Sequence, residues 1–547
     1  MLIKASMLLV FFAITVFIGF YYRKRATDVG GFVLGGREVG PWLTAFAYGT
    51  TYFSAVIFVG YAGQFGWKYG TAATWIGLGN AFVGSLLPWI ILGRRTRIMT
   101  HHLNSATMPE FFGKRFGGSD SLKIGASILI FVFLIPYTAS LYNGLSRLFA
   151  MAFGIDFIYC IIGMALLTAI YVVVGGYFAT AVNDFIQGIV MLIGIIAIIA
   201  AVLGENGGFI SALDQLAKVE NDTVGLVAGN GPTPGVFTSF FGPEPLNLLG
   251  VVLLTSLGTW GLPQMVSKFY AIKSEKMIKK GAVISTIFAV IVAGGCYFLG
   301  SFGRIYGEGI KEITKVGADG TEQIVSSFDN IIPNIVERLP AFLVGLVVLL
   351  VLSASISTLS SLVITSSSTL TLDFLKGHVI KKMGEKQQLF VIRVLILVFI
   401  AISALIAVVQ YNTIKATGTG IAFIAQLMGV SWGALAGAFL APFLFGLFWK
   451  RVTKIAVWCN FAFSALFMSV HVILNVFFNP NPELFPDAFN AFKTIVPEIL
   501  QSPINAGAFT MLMGFIIVPL VSYVTKVHDK AAVEECFSCY EKSADAK

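Results

Sequence analysis

The sequence predicts an all-α integral membrane protein of about thirteen transmembrane helices. Three observations carry this. Of the 547 residues, 56% are hydrophobic and 12% are charged, about half the charged share of a soluble domain. The mean hydropathy is +0.84. The charges gather in short segments between apolar runs, each long enough to cross a bilayer at roughly 20 residues per span.

In chain order the apolar spans fall at 5–22, 42–66, 72–93, 124–152, 156–175, 179–203 and 246–269. They continue at 281–303, 340–372, 389–411, 418–448, 455–478 and 505–525, and a short tail follows at 526–547. The first span runs into Arg23-Lys24-Arg25 without a small-residue cleavage site, so it reads as a retained helix. Longer loops at 204–245, 306–339 and 479–504 alternate with cation-rich ones. The cations are Arg94-Arg95-Thr96-Arg97, the run Lys268 to Lys280, Lys376 to Lys386, and Trp449-Lys450-Arg451. By the positive-inside rule the N-terminus is outside and the C-terminus cytoplasmic, in a cell (inner or plasma) membrane. The same topology explains the net charge of +9. A nucleic-acid partner would need a basic patch on a soluble module, and the sequence offers none.

The second and seventh spans each carry glycine or proline at mid-depth: Gly49-Thr50-Thr51-Tyr52 in one, Gly258-Thr259-Trp260-Gly261-Leu262-Pro263 in the other. Interrupted backbone inside a bilayer is tolerated only where it is buried or lines a cavity. A pair of such helices, five spans apart, points to an inverted-repeat transporter with its site at the midplane. The bland reading is that glycine and proline are simply commoner in membrane helices.

The ninth span is dense in hydroxyls. Most suit packing or back-bonding to the i−4 carbonyl. Ser357, Ser360 and Ser361 differ, because spacings of three and four put them on one helix face. They gather the hard oxygen ligands that a small cation prefers. Asp184, in Val182-Asn183-Asp184-Phe185-Ile186-Gln187-Gly188, is the one carboxylate well inside an expected span. It lies about five residues into that span, so roughly 8 Å along the axis. A buried acid in a membrane is costly and reads as functional, although a side chain at that depth could also snorkel to the interface.

Catalytic signals are thin. His101, His102, His378 and His528 fall in loops or the tail, and His471 stands alone in a span. None has neighbours at triad or metal-ligand spacing. Cys536-Phe537-Ser538-Cys539 is a single C-x-x-C, read as chance or a labile thiol pair, and Cys160, Cys296 and Cys459 sit in spans, so no disulfide framework is expected. No nucleotide-binding fingerprint supplies ATP energy. The chain is not expected to be an enzyme.

Three further stretches resemble the sodium:solute symporter family. Tyr171-Val172-Val173-Val174-Gly175-Gly176-Tyr177-Phe178, running into Asn183-Asp184 and Gln187-Gly188, is similar to one family signature. Gly446-Leu447-Phe448-Trp449-Lys450-Arg451 is similar to the second, and Phe32-Val33-Leu34-Gly35-Gly36-Arg37 to the entry of core helix one. The resemblance implies a LeuT-type fold of two inverted five-helix repeats, here 42–203 and 246–448, with a leading helix at 5–22 and two trailing helices within 455–525. It implies sodium-coupled symport of a small organic solute into the cell, with Na+ as the co-transported ion. The first sodium site would use the carbonyls of Thr50, Phe53 and Ala354 and the hydroxyls of Ser357 and Thr358. A second sodium would use Asp184 with Ser357, Ser360 and Ser361.

The expected substrate pocket holds Thr51, Tyr52, Ser54, Tyr137, Trp260 and Gln426. Local similarity at Thr50 to Ala55 and Gly261 to Pro263 points toward the bacterial pantothenate and proline type of branch. Where sugar-, sialic-acid- and proline-transporting members carry lysine, arginine and aspartate, this chain lacks the lysine and has Tyr137 and Tyr52. The implied solute is a carboxylate, an amino acid or a pantothenate-like molecule. A solute sensor or channel on the same fold is the alternative. The lipid bilayer and sodium are expected partners.

Overall fold

Inside a bilayer a backbone can satisfy its polar groups only within itself, so a chain this apolar folds as helices. The computed structural model describes residues 2–219, 235–306, 311–316, 322–326, 328–417, 424–474, 486–527 and 529–545. His528 and the parts of two expected spans at 418–423 and 475–478 lie outside the described residues.

The helices follow in order. α1 (Leu2–Tyr21) leads into α2 (Val29–Leu34), whose N-cap Asp28 accepts from the Gly31 N–H. Gly35, Gly36 and Arg37 then take positive φ and turn the chain into α3 (Pro41–Tyr52). A wide turn at Val56–Tyr61 joins α3 to α4 (Ala62–Tyr69). α5 (Thr74–Ala81) reaches α6 (Arg94–His102) through two more wide turns, and α7 (Met108–Arg115) precedes the long α8 (Asp120–Phe153). α9 (Phe157–Glu205) contains two expected spans, 156–175 and 179–203, hinged where Gly176 takes φ 59° and ψ −163°. At 49 residues it would measure roughly 70 Å if straight, far more than one ~30 Å hydrocarbon layer.

α10 (Phe209–Ala217) precedes α11 (Pro245–Gly261) and α12 (Pro263–Ala271). α13 (Lys276–Ala289) continues into α14 (Gly295–Ser301). The expected loop 306–339 holds an antiparallel pair, β1 (Lys311–Val316) with β2 (Glu322–Ser326), and α15 (Ile331–Glu337). α16 (Ala341–Thr369) extends through wide turns to Val379, past the expected end at 372. α17 (Glu385–Thr417), α18 (Ile424–Phe448) and α19 (Lys454–Ile473) follow, then α20 (Pro486–Ile495) and α21 (Glu498–Gln501). α22 (Pro503–Val524) is the last span, and α23 (Lys530–Asp545) forms the tail. Ten stretches of the described residues are long and apolar enough to cross a membrane, and the pair α11–α12, bent by 44°, makes an eleventh.

Both expected interruptions are real, with one displacement. The sequence puts the weak point of the first at Gly49 to Tyr52. The helix instead holds through Tyr52 and breaks at Phe53 (φ −98°, ψ 91°). Gly49 has another role: a Cβ there would lie 2.4 Å from the Phe288 ring. The second half begins at Ser54, whose carbonyl accepts from Ile57 and Phe58 N–H. In the other helix Leu262 (ψ 124°) ends α11, and Pro263 opens α12 at the position where its missing N–H costs nothing.

The two broken helices are held by long unbroken ones. α16 packs on α8, α9 and α3, and α18 on α8, α11 and α22. Glycines let backbones touch: a Cβ on Gly300 of α14 would lie 2.0 Å from the Ala62 carbonyl oxygen of α4. Gly300→Ala should therefore destabilise the fold by about 1–3 kcal/mol. Gly163→Ala, where the added methyl meets nothing within 4 Å, should leave the melting temperature in detergent unchanged. Equal melting of the two variants would contradict the backbone contact.

Candidate functional site

The site forms where the break after α3 meets the middle of α16. Ser357 Oγ donates to the Thr50 carbonyl at 2.9 Å and the Ala354 carbonyl at 3.3 Å. Thr358 Oγ1 reaches the Ala354, Thr51 and Thr50 carbonyls at 2.9, 3.2 and 3.4 Å. All of these residues are buried. Four of the five residues expected at the first sodium site thus share one knot of oxygens, and the Thr51 carbonyl joins them. Phe53, the fifth, is the buried non-helical residue at the break itself. The Thr50 and Thr51 carbonyls come from the C-terminal end of a half-helix, where the helix dipole is negative, so the knot attracts a cation.

Tight packing sets this geometry. A Cβ on Gly188 would lie 2.3 Å from the Phe46 ring and 3.1 Å from Thr50 Cγ2, so α9 can approach α3 beside the site. Tyr171 Oη donates to the Ile356 carbonyl at 2.9 Å, tying the same α9 to α16. Asn183 Nδ2 donates to the Thr15 carbonyl, fixing α1. The signature around 171–188 is thus a packing surface for the hydroxyl-bearing segment of α16.

The residues expected at a second cation site lie one turn further along. Asp184 is 1% exposed, which removes the snorkelling alternative. It stands eight residues past the hinge at Gly176, roughly 12 Å along the helix. Among the described residues neither carboxylate oxygen has a hydrogen-bond partner. Ser360 Oγ bonds back to the Ser357 carbonyl. Ser361 Oγ meets Thr51 Oγ1 at 2.9 Å and accepts from Lys268 Nζ at 2.9 Å. Lys268 corrects the sequence reading, which counted it with the loop cations. It is 1% exposed within α12, because the helix restarted by Pro263 carries it inward. The available signal was its place inside the span 246–269. A narrow cavity of about 20 Å³ beside Lys268 and Ser361 leads past Thr365 and Ser368 toward Thr107.

Aromatic rings close the other side of the break. Tyr52 stacks on Phe53 at 4.3 Å, and its Oη donates to the Thr255 carbonyl at 2.6 Å. Tyr137 Oη donates to Ser54 Oγ at 3.4 Å. Trp432, which sequence reasoning missed, lies 6.0 Å from Tyr52 and edge-on to Tyr137 at 5.9 Å. The Gly84 carbonyl sits in a wide turn, where helical bonding is disturbed. It accepts from Tyr48 Oη and Thr259 Oγ1, linking both broken helices. Trp260 donates to the Val83 carbonyl next to this link. Gln426 does not join the group. It lines a separate cavity of about 470 Å³ with Gln64, Lys68, Glu244 and Asn505.

The second signature motif, Gly446 to Arg451, is a helix end. Arg115 donates to the Gly446 and Trp449 carbonyls and Arg95 to the Leu447 carbonyl, capping α18. Burial pushes the Arg115 guanidinium down to about 10, so it stays charged at neutral pH. Cys536 and Cys539 are buried free thiols on α23, which docks at this end.

Residues 32–461 match the family model described as the sodium:solute symporter family. A sodium/proline symporter 2 of Staphylococcus saprophyticus is 28% identical over 508 residues, covering 91% of each chain. A sodium/proline symporter of Staphylococcus aureus is 28% identical over 527 residues, covering 95% of this chain and 91% of the relative. A solved Na+-coupled sialic acid symporter superposes with a TM-score of 0.65 at 17% identity, over 96% of this chain and 98% of that one.

Removing the Ser357 or Thr358 hydroxyl should cost about 1–3 kcal/mol in sodium binding, with tenfold per 1.4 kcal/mol. Sodium titrations of uptake should show half-saturation moving to higher concentration in Ser357→Ala and in Thr358→Ala. An active double variant with unchanged sodium dependence would place the ion elsewhere.

Proposed function

We propose, for a chain that belongs to the sodium:solute symporter family, that the solute it carries is a small amino acid or related carboxylate bound at the break between α3 and α4. The chain is a multi-pass transporter of LeuT-type fold that couples a small organic solute to co-transported sodium. The single observation carrying the substrate reading is the break itself. Ser54 starts a new half-helix, so the N–H groups of Ala55 and Val56 lie at its positive end. A carboxylate is the group such an end recognises. Tyr137 and Ser54 supply hydroxyls there, and Tyr52, Phe53 and Trp432 supply apolar surface for a short side chain. The names of the Staphylococcus relatives agree with an amino acid.

In this reading sodium sits on the Thr50, Phe53 and Ala354 carbonyls with the Ser357 and Thr358 hydroxyls. The ion joins the C-terminal end of one half-helix to α16, and the solute joins the N-terminal start of the next. Each ligand completes the same break, so each favours the geometry that the other needs. Such shared stabilisation is a coupling free energy and is reciprocal. A membrane potential adds about 2.3 kcal/mol per charge per 100 mV. We assign the repeats to 42–203 and 246–448. We take the end bearing Arg94, Arg95, Arg97, Arg115, Lys450, Arg451 and α23 as cytoplasmic, by the positive-inside rule.

Uptake into proteoliposomes should rise steeply with an inward sodium gradient. L-proline, other small amino acids and short carboxylates should compete for it, and neutral hexoses should not. A hexose that competes better than any carboxylate would overturn the substrate class. Equal uptake in choline buffer under a proton gradient would overturn sodium coupling.

A further inference from the structure

The second group of cation-seeking residues already faces a cation belonging to the protein. Lys268 Nζ is 2.9 Å from Ser361 Oγ. Tyr177 presents its ring 5.0 Å from the same ammonium, a further attraction for positive charge. Ser361 also meets Thr51, the residue next to Thr50 of the first sodium site. Asp184 is buried on α9 with both oxygens unpartnered among the described residues, two turns from Tyr177 on the same helix face.

Charge balance decides between occupants. One carboxylate and one ammonium, both buried, compensate each other. A free sodium added to that pair would leave an uncompensated positive charge, which a buried site strongly disfavours. Without the ammonium, Asp184, Ser360 and Ser361 would present one negative charge and two hydroxyls, a set suited to a small hard cation.

We propose that Lys268 is a tethered second cation: its ammonium takes the position that Asp184, Ser360 and Ser361 offer to an ion, so the wild-type chain carries one sodium per solute, and removing the ammonium opens the position to a second sodium. This rests on the sodium-coupled reading above. Lys268 acts as a stoichiometry-setting residue, one hydroxyl (Ser361) removed from Thr51 beside the first sodium site. It also gives α12 a charge-based hold on α16 across Ser361, which a free ion would not give.

The test counts sodium directly. Equilibrium binding of radioactive sodium to purified protein should give one site in the wild type and two in Lys268→Ala. Reversal potentials in proteoliposomes should give a sodium-to-solute ratio of one in the wild type and two in the variant. The Hill coefficient for sodium should move from about one toward two. Lys268→Arg, which keeps the charge, should stay at one, and Lys268→Ala combined with Asp184→Asn should return to one. Should the alanine variant fail to fold, Lys268→Gln removes the charge while keeping the length. A monodisperse neutral variant that still binds one sodium, or a wild type that binds two, overturns the proposal. Sodium-independent uptake by the wild type would instead overturn the reading on which it rests.

Discussion

A helix that stops inside a hydrocarbon layer leaves carbonyl and N–H groups that water cannot satisfy, and this structure is organised around two such stops. At Phe53 the carbonyls of Thr50 and Thr51 find the hydroxyls of Ser357 and Thr358. At Leu262 the stop is followed by Pro263, which has no N–H to satisfy. The long helices α8, α9, α16 and α18 enclose both breaks. The glycines at 49, 188 and 258 let neighbouring helices close in until rings and backbones meet. In the proposed sodium site the same unsatisfied groups become ligands, so stability and ion binding would draw on one set of atoms.

The two ends of a broken helix differ in sign, and in the proposed reading this separates the two cargoes. The C-terminal end before Phe53 is negative and suits a cation. The N-terminal start at Ser54 is positive and suits a carboxylate. Ion and solute can therefore bind within a few residues of each other without competing. The hydroxyls of α16 also bond back to their own helix: Thr358 to Ala354, Ser360 to Ser357.

Much of this was legible in the sequence, because its causes are local. Long uncharged runs mark the helices, and glycine and proline at mid-depth mark the breaks. The spacing of Ser357, Ser360 and Ser361 marks a polar face. What escaped depends on tertiary placement. Lys268 reads as a loop cation by composition although it falls inside the span 246–269, and the direction of α12 turns it inward. Trp432 sits in an apolar span without any signal that it faces Tyr52 and Tyr137. Gln426, chosen for the pocket, lies in the 470 Å³ cavity with Lys68 and Glu244. Asp373, one residue past the expected end of its span, is buried and bonded by Thr107 Oγ1. The break itself moved by one residue, because Gly49 serves contact with Phe288 instead of flexibility.

Hydrogen exchange, compared in sodium and in potassium, tests most directly whether one ion joins the break to α16. Sodium should protect the amides of residues 49–58 and 353–361 together, and Ser357→Ala with Thr358→Ala should abolish protection in both segments at once. Protection confined to one segment, or sodium protection surviving in that double variant, would contradict a shared ion at the break.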